Sequence, residues 1–209
     1  MTIEFQDTER RSSDALAEVI ATIKGERVTL RDILAQMGES GLLLLCGLLS
    51  LPFLVPVSIP GVSTVFGIGI VLIGIAITLN RLPWLPSRLA DKPLDAEKLV
   101  PVLEKGLGIL RRFDRFFRVR MHALTDGRVV NRVNGMALTG AGVLLMMPLS
   151  IIPFSNTLPG VAILLLSAGI SQRDGLVVAG GYLMIALTLV YFAVLAWLAV
   201  SAGQSVLGG

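Results

Sequence analysis

The stretch LPFLVPVSIPGVSTVFGIGI, residues 51–70, sets Pro52, Pro56 and Pro60 into an apolar run at a spacing of four. The run containing it extends over residues 40–80 without an Asp, Glu, Lys or Arg. A continuous helix of about 40 residues would be roughly 60 Å long, whereas the hydrocarbon core of a bilayer is about 30 Å thick. Such a chain has to turn back. Each interior proline removes a helical hydrogen bond and costs about 3 kcal/mol in a helix. Pro60-Gly61 reads as the turn itself, with glycine free to take a positive φ. Residues 41–51 before the break amount to about 16 Å of helix and residues 62–79 after it to about 27 Å. The short first limb favours a re-entrant or broken-helix element over two full spans, unless the helix before it continues into it.

Composition agrees. Of 209 residues 54% are hydrophobic, and a mean hydropathy of +0.78 is too high for a soluble domain of this length. An integral membrane protein is expected. Two further stretches, 133–172 and 175–209, are free of charged residues. Residues 175–200 contain neither charge nor proline, which is enough for a full span with tilt.

The charges lie between these segments. Residues 1–39 carry eight acids and five bases, a mixture unlike the start of a cleaved secretory signal. Residues 80–132 carry twelve bases and six acids, which assigns that loop to the cytoplasmic side. If both hairpins return there, the last helix carries the C-terminus to the opposite side. Cys46 is the single cysteine and lies in the first apolar run, where it packs as a small hydrophobe.

The second apolar stretch, GVLLMMPLSIIPFSNTLPGVAILLLSAGI (142–170), repeats the design: limb, Pro148, Pro153, Pro159-Gly160, limb. Duplicated units with interrupted helices are a feature of transport proteins. Two hairpins that each need a turn would look the same. Interrupted backbone inside a membrane must be buried in protein or line a wet cavity, so the two breaks are expected to face each other. The substrate-binding candidates are therefore Pro56, Ser58, Pro60, Gly61, Ser63 and Thr64 at the first break, with Pro153, Ser155, Asn156, Thr157, Pro159 and Gly160 at the second. The same hydroxyls and amide would equally serve to satisfy freed backbone groups.

Amphipathic helices flank these elements. One starts at Ser12 or Ser13 with Leu16, Val19, Ile20 and Ile23 at helical spacing, and Gly25 stops it. A second starts at Thr29, three residues before Asp32. The connector, residues 95–120, aligns Leu99, Leu103, Leu110, Phe113 and Phe117 beside Arg111, Arg112, Arg115 and Arg118, a combination suited to the headgroup region. Those four arginines are the lipid head-group candidates, able to bind an anionic phospholipid or the phosphate of a lipid-linked sugar. Anchoring by the positive-inside rule would use them without a specific ligand. Trp84 is an interfacial anchor after the first hairpin.

Nothing points to catalysis, a cofactor or a metal. His122, the only histidine, has no Cys or carboxylate partners at ligand spacing, and no phosphate loop or nucleophile elbow is present. The charge-free runs contain no acid or lysine for proton coupling. Arg173 and Asp174 read as an ion pair at a membrane boundary.

RVTLRDILAQMG, LPFLVPVSIPGVSTVFG, PWLPSRLADKPL and IPFSNTLPGVAILLLSAGISQRDG resemble the bacterial exopolysaccharide-synthesis family called ExoD, collinearly from about residue 28 to 200. The resemblance implies a bacterial inner-membrane protein associated with exopolysaccharide production and supplies no catalytic residue.

The expected architecture is an all-α integral membrane protein: two proline-broken helical repeats, a C-terminal transmembrane helix and amphipathic interfacial helices. Its parts are 1–40, N-terminal amphipathic helices; 41–80, the first broken repeat; 81–132, the basic connector; 133–174, the second broken repeat; and 175–209, the last helix and tail. The expected activity is that of a small transporter or flippase-like protein for an anionic lipid or lipid-linked saccharide. The alternative is a non-transporting accessory subunit of a polysaccharide synthase. Expected partners are the phospholipid bilayer, such a lipid or saccharide, polysaccharide-synthesis proteins and a second copy, but no nucleic acid. Gly67, Gly69, Gly74 and the Gly140-Ala141-Gly142 run would allow helices of neighbouring copies to approach closely.

Overall fold

The computed structural model describes residues 27–54, 61–80, 93–95, 121–147 and 152–207, together with a few single positions. The N-terminal amphipathic helix and the connector helix lie almost wholly outside these residues. Ala17, Ile20 and Ala21 in the one, and Val100, Pro101, Glu104 and Gly108 in the other, are helical. Trp84 lies outside them.

Helix α1 spans Leu30–Ser50, starting directly after Thr29 as the capping signal predicts, and is interrupted at Gly38, whose φ of 56° and ψ of −136° are not helical. The amphipathic turns therefore do not run straight into the apolar limb. That limb is instead extended at its far end by a 3-10 turn, Leu51–Leu54. Helix α2 spans Val62–Leu79 and begins at Gly61, which takes the expected positive φ, 85°. Helices α3, Arg128–Leu145, and α4, Thr157–Ser171, form the second interrupted pair. Helix α5 runs from Gly175 to Leu207.

Beside the helices, the described residues contain one short ribbon. Strands β1, Arg27–Thr29, and β2, Pro93–Asp95, pair antiparallel with Val28 opposite Leu94. Three-residue ladders are too short to leave a periodic trace in the sequence, and a proline is tolerated at the first position of a strand.

Packing runs across the hairpins. α2 packs antiparallel on α3, α1 on α4, and α4 on α5. The closest approaches are made at glycines. A Cβ on Gly74 would lie 2.8 Å from Thr139 N, and one on Gly142 would lie 2.9 Å from Val71 Cγ2. Gly47 faces Ser167 Oγ, Gly169 faces Val178, and Gly181 faces Leu166. Gly67, Gly74 and Gly142, expected to meet a second copy, are thus consumed within the chain; the helix-approach logic was right but the partner is internal. Gly140 alone of that set faces open space. The enclosed core includes Leu42, Cys46, Phe53, Ile70, Ile77, Leu138 and Leu166, so Cys46 packs as the small hydrophobe expected.

The antiparallel contacts make α1 and α3 run one way and α2 and α4 the other. Both interruptions therefore lie at one end of the bundle, the break end. Glu39, Asn80, Arg128 and the turn 172–174 lie at the other, the connector end. Tyr191 Oη donates to the Pro153 carbonyl at 2.7 Å, which levels residue 191 of α5 with the second interruption. The remainder of α5, residues 192–207, continues about 24 Å past the break end.

The Arg173-Asp174 pair has a structural role that the ion-pair reading overlooked. Arg173 takes φ 52°, with its N–H on the Ile170 carbonyl (3.2 Å) and the Asp174 N–H on the Gly169 carbonyl (2.9 Å). This is the Schellman pattern, which closes α4. Asp174 is fully buried and its Oδ1 accepts the Leu176 N–H at 3.1 Å, so it caps α5. Arg173 Nη1 stands 3.9 Å from Asp126 Oδ1. QRDG is therefore the stop of one helix and the start of the next.

Candidate functional site at the two interruptions

At the second interruption the chain leaves α3 and re-forms a turn from Ile152. Ser155 Oγ donates to the Ile152 carbonyl at 2.8 Å. Phe154, exposed, takes φ 64°, an uncommon conformation for a bulky residue and one that clusters at functional sites. Asn156 is the N-cap of α4 but makes no side-chain cap bond. The reason is local. An N-cap oxygen normally accepts from the second or third helical N–H. Here the second, Leu158 N–H, is bonded to the Phe154 carbonyl at 3.1 Å, and the third position is Pro159, which has no N–H. Asn156, 6% exposed, is left with a buried Oδ1 that finds no partner among the described residues.

At the first interruption Ser50 Oγ donates to the Gly47 carbonyl at 2.7 Å. Phe53 turns inward from the 3-10 segment and meets Phe66 of α2 edge-on, with ring centroids 5.9 Å apart. The two interruptions touch through this residue. A Cβ on Gly160 would lie 2.9 Å from Phe53 Cβ and 3.6 Å from the Ser50 carbonyl.

The predicted residues divide accordingly. Ser63, Ser155, Asn156, Pro159 and Gly160 are buried, Thr157 is half-buried, and Gly61, Thr64 and Pro153 are at the surface. Pro56, Ser58 and Pro60, and the head-group candidates Arg111, Arg112, Arg115 and Arg118, lie outside the described residues. Among the described residues no group of His, Cys, Asp or Glu is arranged to hold a metal.

A second polar cluster went unnoticed in the sequence. Asn134, almost fully buried, donates through Nδ2 to the Leu124 carbonyl (3.1 Å) and accepts at Oδ1 from Tyr182 Oη (2.7 Å). One turn nearer the connector end, Asn131 Nδ2 donates to Glu39 Oε2 at 3.0 Å. The available signal was Asn131 and Asn134 at i, i+3 on a helix otherwise apolar toward the core, which places both on one face.

The family model described as "Exopolysaccharide synthesis, ExoD" matches residues 12–194, a range that contains both interruptions, the Phe53–Gly160 contact and the QRDG turn. The chain belongs to the ExoD family. It is 58% identical over 204 residues to Protein ExoD of Rhizobium meliloti (strain 1021), covering 98% of this chain and 85% of that one. It is also 30% identical over 159 residues to an uncharacterized protein of Synechocystis sp., covering 76% and 74% respectively. No solved structure matches the chain. Within the ExoD family match, α4 with its orphaned Asn156 and α1 with its 3-10 extension meet at the Phe53–Gly160 contact, the feature on which a functional reading rests.

Proposed function

We propose that this chain is a multi-pass protein of the bacterial inner membrane that serves exopolysaccharide synthesis as a small transporter or flippase-like protein. Its cargo would be an anionic lipid or a lipid-linked saccharide, moved without covalent chemistry. Family membership supports the exopolysaccharide context. The membrane is supported by α5: residues 175–202 are long and apolar enough to cross, and only 6% of an 18-residue apolar window within them is buried against the rest of the chain. A core helix of a soluble protein would be buried; this one exposes Leu183, Leu187, Val190, Val194 and Trp197, a surface that water disfavours by roughly 25 cal/mol per Å².

The observation that carries the reading is the level of Tyr191. Because α5 remains apolar for eleven residues beyond it, an α5 that crosses the bilayer would carry both interruptions inside it, as the re-entrant reading requires. Burying a polar group there without a bond costs several kcal/mol. An orphaned amide oxygen at that depth is a cost that a bound ligand would offset. The crossed packing, α1 on α4 and α2 on α3 with the two hairpins running in the same direction, is what a parallel duplication would produce. Positive-inside charge assigns the connector end to the cytoplasm.

The test is cysteine labelling in a Cys46→Ser background, with single cysteines at Ser58, Ser63, Ser155 and Asn156 and a membrane-impermeant reagent applied from each side. Reaction at both interruptions supports a wet site between the hairpins. No reaction at any of the four, with reactive loop controls, sinks transport and favours an accessory subunit of a polysaccharide synthase.

A further inference from the structure

We infer that the second interruption binds an uncharged hydroxyl group of its ligand, a saccharide or polyol hydroxyl, and not a phosphate or carboxylate. This rests on the translocation reading and narrows it.

An anion site at a helix N-terminus needs free N–H groups. At the start of α4 that set is depleted: the Leu158 N–H is held by the Phe154 carbonyl at 3.1 Å. Pro159 offers none. No Lys or Arg occurs anywhere in residues 133–172 or 40–80. The buried side-chain atom without a partner among the described residues is an acceptor, Asn156 Oδ1. An acceptor in a neutral, low-dielectric setting selects a hydrogen-bond donor, and it repels an anion that would bring further lone pairs. A neutral hydroxyl donates to it without importing a charge. Gly160, one turn further along α4, lets Phe53 of the first interruption pack directly on the helix, since a side chain there would run into it.

The experiment uses the full chain in phosphatidylcholine nanodiscs, carrying Cys46→Ser and Thr157→Cys, and follows alkylation of that half-buried cysteine by an uncharged maleimide. Monoglucosyl diacylglycerol or phosphatidylmethanol, an anionic lipid without a hydroxyl, is doped into the disc, or free glucose is added. The glycolipid is expected to slow alkylation at least fivefold and phosphatidylmethanol less than twofold. Free glucose distinguishes a soluble sugar from a lipid headgroup as the source of the hydroxyl. Asn156→Asp keeps the acceptor oxygen and loses the amide donor, so protection should persist; Asn156→Leu should abolish it. A reactive cysteine that neither sugar protects, or that phosphatidylmethanol protects better, overturns the ligand assignment and leaves a wet transport site standing. Loss of protection in Asn156→Asp also overturns it, because it would mean that the amide donates. An unreactive cysteine, with a reactive Asp126→Cys control, overturns the translocation reading as well.

Discussion

Gly74 and Gly135 are reciprocal contacts. A Cβ on Gly74 would lie 2.8 Å from Thr139 N, and a Cβ on Gly135 would lie 2.6 Å from Thr78 N. Each threonine sits four residues after its own glycine and returns its hydroxyl to that glycine's carbonyl, Thr78 at 2.8 Å and Thr139 at 2.9 Å. The two helices thus present the same Gly-x-x-x-Thr edge to each other, with each hydroxyl already satisfied.

Because those Cβ positions meet backbone, overpacking cannot be relieved by a rotamer change. Gly74→Ala and Gly135→Ala should each destabilise by about 1–3 kcal/mol, lowering the thermal midpoint in detergent. Gly140→Ala, with open space around it, should leave the midpoint unchanged or raise it through helix propensity. Equal midpoints for all three would refute the crossing.

The Leu124–Asn134–Tyr182 chain should respond as one unit. Tyr182→Phe leaves Asn134 Oδ1 buried without its donor, at about 1–3 kcal/mol. In an Asn134→Leu background the same change should cost markedly less. Additive losses in a double-mutant cycle would mean that the bond contributes nothing.

At the QRDG turn, Asp174→Ala should lower stability by about 1 kcal/mol and Asp174→Asn by much less, since the amide oxygen still accepts the Leu176 N–H. Arg173→Gly should be neutral or stabilising, because glycine takes the left-handed conformation freely. Chemical denaturation of the three variants checks both signs.

Trp197 is 67% exposed on the part of α5 that passes the break end. In a Trp84→Phe background its fluorescence should be quenched by acyl-chain-brominated phosphatidylcholine and resist iodide. The reverse would put that half of α5 in water.

Much of this was legible one residue at a time. The start of α2 at Gly61, the start of α5 at Gly175 and the interruption of both apolar runs follow from proline and glycine chemistry, which acts on the residue's own backbone. The charge-free runs likewise announced an apolar α5, whose exposed residues beyond its contact with α4 are largely apolar. The ribbon of Arg27–Thr29 with Pro93–Asp95 was illegible because its ladder joins segments over sixty residues apart. So was the destination of the glycines: Gly67, Gly74 and Gly142 announce close helix approach, but whether to another copy or to the same chain is decided only by which helices the hairpins bring together. Asn156 shows the division most clearly. The sequence by itself determined that an amide stands two residues after Phe154 and three before Pro159. Only the tertiary structure decided that its oxygen is buried and without a partner among the described residues, because that depends on Phe154 claiming the Leu158 N–H and on what packs over the start of α4.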